Sequence, residues 1–66
     1  MNRADRIAKL IKFLKEYDPE KLKILLWKFN IKTGFSIELR GNTVIFSGGN
    51  PDLIVAQFYQ FCGGWE

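Results

Sequence analysis

Residues 50–64 constrain this chain more than any other stretch. They read Asn50-Pro51-Asp52, then Leu53-Ile54-Val55-Ala56-Gln57-Phe58-Tyr59-Gln60-Phe61-Cys62, then Gly63-Gly64. The opening is a helix start. An Asn side chain accepts from the free amides of a first turn, Pro suits the first helical position, and an acid there faces the positive end of the helix dipole. Gly63 supplies the left-handed residue that ends the helix. Between these signals no residue is charged. A three-turn helix of that kind must be covered on most sides, by its own domain or by a partner. Ile54, Val55, Phe58, Phe61 and Cys62 make one contiguous arc, expected to be core. Leu53, Ala56, Gln57 and Gln60 make the outward strip, with Tyr59 at its edge.

A helix needing that much cover sits in a chain of only 66 residues. One domain is expected, near the lower size limit for folding on a hydrophobic core alone. The chain is 47% hydrophobic and holds six Phe, two Trp and two Tyr, so large side chains supply most of the area that can be buried. Each contributes roughly 1.5–3 kcal/mol when fully covered. A shared core in a homodimer is one way a marginal domain of this size is completed.

Two more helices precede the charge-free one. Ala4, Ile7, Leu10, Ile11, Leu14 and Tyr17 recur at intervals of three and four. That spacing predicts an amphipathic helix over 3–17 with Asp5, Lys9, Lys12 and Glu16 on the opposite face and Phe13 at the boundary. Asp18-Pro19-Glu20 repeats the start signal, so a second helix is expected over 19–31 after a junction of about two residues. The two helices should then pack as a close pair. The second helix carries two apolar stripes. Leu22, Leu25, Leu26 and Phe29 are assigned to the core. Ile24, Trp27 and Ile31 lie roughly opposite, and either pack against the third helix or form an exposed patch that binds something.

Thr33-Gly34 ends the helical region and a hairpin follows. Gly41-Asn42 is a two-residue turn with Gly first, as type II′ requires. Counting outward pairs Arg40 with Thr43, Leu39 with Val44, Glu38 with Ile45 and Ile37 with Phe46, giving strands over 35–40 and 43–47. In that register Phe35, Ile37, Leu39, Val44 and Phe46 share one face. Ser36, Glu38, Arg40, Thr43 and Ser47 share the other, and only Ile45 breaks the alternation. The third helix is expected over 51–62, and Trp65 is placed to fold back on its end. The fold class is α+β, a single small domain in the order α-α-β-β-α.

Chemistry-bearing groups are few. There is no His, and Cys62 is the only cysteine. No acid–base pair, no Cys–His nucleophile, no internal disulfide and no His/Cys metal site can be assembled from them. A chain this small also leaves little room for a deep pocket. No enzyme activity, cofactor or metal is expected, and burial should leave the Cys62 thiol inert. Ser47-Gly48-Gly49-Asn50-Pro51 precedes a helix, but it lacks the spacing and the Lys–Ser/Thr ending of a phosphate loop, so it reads as a link and a cap. The first six residues have cations without an apolar run behind them, which is no signal peptide, and no apolar run approaches a membrane span. A cytoplasmic, non-membrane protein is expected from this and from the sparse cysteine.

Charge is uneven. Residues 1–32 hold nine basic and four acidic residues, a net +5; residues 33–66 hold one basic and three acidic, a net −2. Two functions compete. The first is a non-catalytic protein-interaction module, self-associating or docking on a larger protein through apolar surface of the second and third helices. Its interface would comprise Ile24, Trp27, Ile31, Leu53, Gln57 and Gln60. The second is a small nucleic-acid binder using Arg3, Arg6, Lys9, Lys12, Lys15, Lys21, Lys23, Lys28, Lys32 and Arg40, with Trp27 as a stacking platform. In element order the chain is similar to winged-helix DNA binders, whose wing the hairpin would be. Its second helix, however, has no Arg, Gln or Asn in its first turns to read bases.

Overall fold

A computed structural model describes residues 3–65. The order is α1 (Arg3–Glu16), α2 (Pro19–Thr33), β1 (Ser36–Arg40), β2 (Thr43–Ser47) and α3 (Pro51–Phe61). This is the α+β arrangement the sequence implies. Boundaries move by one or two residues. Tyr17 falls outside α1, α2 runs two residues further than expected, Phe35 precedes β1, and Cys62 is the cap of α3. The extension of α2 has a local cause. Gly34 takes a left-handed φ of 81° and its N–H returns to the Asn30 carbonyl at 2.7 Å, which closes the last turn.

Both later helices begin as their capping residues dictate. Asp18 accepts from the N–H groups of Glu20 at 3.0 Å and Lys21 at 3.5 Å. Asn50 accepts from those of Asp52 at 2.8 Å and Leu53 at 3.4 Å. The end of α3 is a Schellman motif. The Gly64 N–H reaches the Tyr59 carbonyl and the Gly63 N–H reaches that of Gln60, with both glycines at positive φ. That reversal turns Trp65 back onto the helix, where its ring meets Tyr59 edge-on at 4.7 Å.

The hairpin register is Ser36 with Ser47, Ile37 with Phe46, Glu38 with Ile45, Leu39 with Val44 and Arg40 with Thr43. Gly41 has φ 58° and no other residue type among those described has positive φ, as a II′ turn requires. Ile37 is buried, and Phe35, Leu39, Val44 and Phe46 pack against the core from the same face. The alternate positions, Ile45 among them, face outward.

Leu10, Leu14, Phe29, Ile37, Ile54, Val55 and Phe58 form the core. Its centre is α3. The Phe58 ring lies 6.2 Å from Phe13 of α1 on one side and 5.1 Å from Phe29 of α2 on the other. The expected close pairing of α1 with α2 is therefore not what forms. The backbone of α1 comes nearest to α3 and β2, and that of α2 nearest to β1. A short junction brings two helices near each other at one end only. The uncharged helix outcompetes that proximity because it offers apolar surface to both neighbours.

Candidate protein-interaction surface

The α2 helix has an inner and an outer apolar stripe, and the structure separates them cleanly. On the inner side Phe29 is fully buried, with Leu22, Leu25 and Leu26 packed against the core. On the outer side Ile24 is 55% exposed, Trp27 62% and Ile31 63%. The alternative in which this stripe packs against α3 is not realised. Positions 24, 27 and 31 fall within about 60° of helix surface, so the three side chains make one strip along the axis. Leu53 on α3 is 48% exposed, and Gln57 and Gln60 are exposed beside it.

The six residues singled out for an interface thus lie on two strips, one per helix. Their helices are linked at the C-terminal ends, where Phe61 lies 5.4 Å from Phe29 and the Lys32 ammonium sits 5.7 Å above the Phe61 ring. Lys32 occupies the flank of α2 that turns toward α3. It is a cation at the seam between the two strips.

The α2–β1 connection holds this surface in place. The Asn30 side-chain amide donates to the Phe35 carbonyl and to Ser36 Oγ, each at 3.0 Å. Thr33 Oγ1 donates to the Phe29 carbonyl at 2.8 Å and accepts from the Phe35 N–H at 3.2 Å. Three of these contacts tie the end of α2 to Phe35 and Ser36 at the start of β1.

The cations do not gather on one face. On α1, Arg6, Lys9, Lys12 and Lys15 are exposed; on α2, Lys21, Lys23, Lys28 and Lys32 are exposed. Lys15 donates to Asn42 Oδ1 at the hairpin tip, and Arg40 pairs with Glu38 across 3.4 Å on the outer hairpin face. The Lys15 contact joins the hairpin tip to α1. The Arg3 side chain lies outside the described residues.

Trp65 folds back on the end of α3 as its position implies, and there it joins a grouping that periodicity did not imply. Phe13, Tyr17, Phe58, Tyr59 and Trp65 form an aromatic cluster between α1 and the end of α3, with Trp65 5.5 Å from Phe13 and 5.7 Å from Phe58. Two adjoining surface clefts run beside it. One of about 340 Å³ is lined by Arg6, Lys9, Tyr59, Gln60 and Trp65, among others. The second, about 610 Å³, is lined by Lys9, Lys12, Phe13, Glu16, Tyr17 and Trp65. The signal was present in the i, i+4 pair Phe13–Tyr17 and in a Trp two residues past a helix-ending glycine.

The remaining candidate chemistry is slight. Burial pushes the Cys62 thiol up to about 11, which keeps it protonated at neutral pH. No group of three or more potential metal ligands occurs among the described residues, and no helix among them is long and apolar enough to cross a membrane. The glycine link before α3 is packed, with Gly49 against the Phe35 ring and Gly48 against the Gly34 carbonyl. Asn50 engages the first amides of the helix itself. Compared with known protein families, curated proteins and solved structures, the chain matches none.

Proposed function

We propose that this chain is a non-catalytic protein-interaction module whose contact surface is the outer face of α2, extended by the outward strip of α3. One observation carries the reading. Three large apolar side chains in helical register, Ile24, Trp27 and Ile31, are each more than half exposed on a helix whose other side is fully used by the core. Scattered apolar residues on a surface are ordinary, but an aligned strip centred on Trp is the composition of a binding hot spot. A photo-crosslinking residue at position 27, in the full chain in its native cells, should form defined protein adducts. The same residue at position 12 should not. Equal or absent adduct formation at the two positions would overturn the reading. Light scattering over a concentration series separates self-association from docking on a different protein.

Nucleic-acid binding is the second reading, and the clefts beside Trp65 favour it. Arg6, Lys9 and Lys12 line them together with the aromatic rings of Phe13, Tyr17, Tyr59 and Trp65. Cations along a backbone with rings for base stacking are what single-strand binders use. Affinity for a single-stranded oligonucleotide that falls steeply with salt would support it. No shift of single- or double-stranded probes at low salt would remove it.

A further inference from the structure

We infer that the outer face of α2 takes an acidic amphipathic segment of a different protein, an apolar stripe edged by Asp and Glu, and not a second copy of this chain. The inference rests on the reading of that face as the contact surface and concerns what covers it. Charge decides the matter. The helix carries Lys21, Lys23, Lys28 and Lys32 against the single carboxylate Glu20, four minus one, a net +3 on 15 residues. At 100° per residue, Lys21, Lys28 and Lys32 run along one side of the Ile24–Trp27–Ile31 strip and Lys23 along the other. All four are exposed. Among the described residues Lys21, Lys23 and Lys28 make no ion pair, and Lys32 is engaged only by the Phe61 ring. The strip is an apolar centre with lysines along both flanks and Glu20 in line with it at the N-terminal end.

A second copy that pairs α2 with α2 does not answer those flanks. In a two-fold dimer with α2 antiparallel to its mate, each flank meets the same flank, so the Lys21–Lys28–Lys32 row faces itself. With the helices parallel, that row faces the flank bearing Lys23. In the antiparallel case Glu20 can answer at most one lysine per copy, which still leaves three cations facing three. Like charges well inside the Debye length of about 10 Å at 0.1 M salt repel across such a contact. A segment that presents Leu, Ile or Phe along one stripe and carboxylates along both edges covers the apolar strip and meets the lysines at once. An amphipathic helix laid along the face is the simplest such segment.

The test uses the full chain, isotope-labelled for NMR, and three synthetic helical peptides long enough to cover the 15 residues of α2. The first has a Leu/Phe stripe edged by Glu. The second has the same stripe edged by Lys. The third keeps the Glu edges and replaces the stripe by Ser. The Glu-edged peptide should shift the resonances of Ile24, Trp27 and Ile31, with both other peptides at least about tenfold weaker. Lys28→Glu together with Lys32→Glu, both exposed and outside the core, should invert the preference between the first two peptides. Sedimentation of the chain alone should show a monomer at low salt.

Equal binding of Glu-edged and Lys-edged peptides would overturn the inference. So would equal binding of the stripe-free peptide, which would reduce the effect to charge alone. A dimer whose contact protects Trp27 would replace it by self-association. An oligonucleotide that shifts the same α2 resonances more tightly than the peptide would replace it by nucleic acid. Photo-adducts at position 27 with a segment lacking carboxylates would sink this inference but leave the interaction-module reading standing, whereas no adducts and no peptide binding would sink both.

Discussion

The two apolar-rich helices α2 and α3 make an instructive pair. Residues 53–62 hold no charge at all; Ile54, Val55, Phe58 and Phe61 find cover inside the domain, while Leu53 and Tyr59 stay partly exposed. The α2 helix has five charged residues among fifteen, yet three of its largest side chains stay in solvent. Composition ranks them in the same order, but it does not say which apolar side chains of α2 stay outside. What decides exposure is the number of neighbours a helix has. The α3 helix lies between α1 and α2 with β2 alongside, so its apolar arc is met on several sides. The α2 helix packs at the edge, with β1 and the rings of α3 on its inner side and Ile24, Trp27 and Ile31 more than half exposed on its outer side. Its lysines are exposed along both flanks and do not hide the strip between them.

Substitutions on the α3 side should be the most damaging. Phe58→Ala removes the ring that joins α1 to α2 and should cost about 3–5 kcal/mol, enough to unfold a domain of this size. Circular dichroism melts check it, and Phe29→Ala on the inner side of α2 should match it, since that ring is equally buried. A much smaller loss at Phe58 would mean that α3 is not the centre of the core. Next comes the link that aims α3. Gly48 has φ 98°, and a Cβ there would stand 2.8 Å from the Gly34 carbonyl oxygen. Gly48→Ala should cost about 2 kcal/mol in a urea titration, from left-handed strain and that clash together. Asn50→Ala, which removes the N-cap of α3, should cost about 1 kcal/mol by the same measurement.

The smallest stability effect should come from the largest exposed apolar residue. Trp27→Glu should change unfolding free energy by less than about 0.5 kcal/mol while abolishing adducts and peptide binding at that face. That outcome would sharpen the contrast between a helix face used for folding and one used for contact. Strong destabilisation instead would show that Trp27 supports the fold, and the comparison would fail.

Much of the fold was legible because its signals are local. Asp18-Pro19 and Asn50-Pro51 start helices through hydrogen bonds to amides two and three residues away. Gly34 and Gly63 stop them through positive φ. Gly41-Asn42 sets the hairpin register, because a two-residue turn leaves one pairing and a period of two then assigns every side chain a face. The surface was less legible. That Ile24, Trp27 and Ile31 share a stripe follows from helical spacing, but whether the stripe is covered depends on where α3 goes. The Trp65 clefts needed both the Schellman reversal and the position of α1.

The charge-free run at residues 53–62 therefore determined by itself that this chain has a helix around which others must gather, and even which of its residues form the arc. Only the tertiary structure decided which helices gather there. The two-residue junction favours α1 beside α2, but Phe58 reaches Phe13 and Phe29 at once and places α3 between them. The reason is that hydrogen-bonded caps and turns act over a few residues, whereas apolar burial is non-directional and is settled by the whole set of surfaces in competition. The same competition left Ile24, Trp27 and Ile31 on the outer face of α2 exposed.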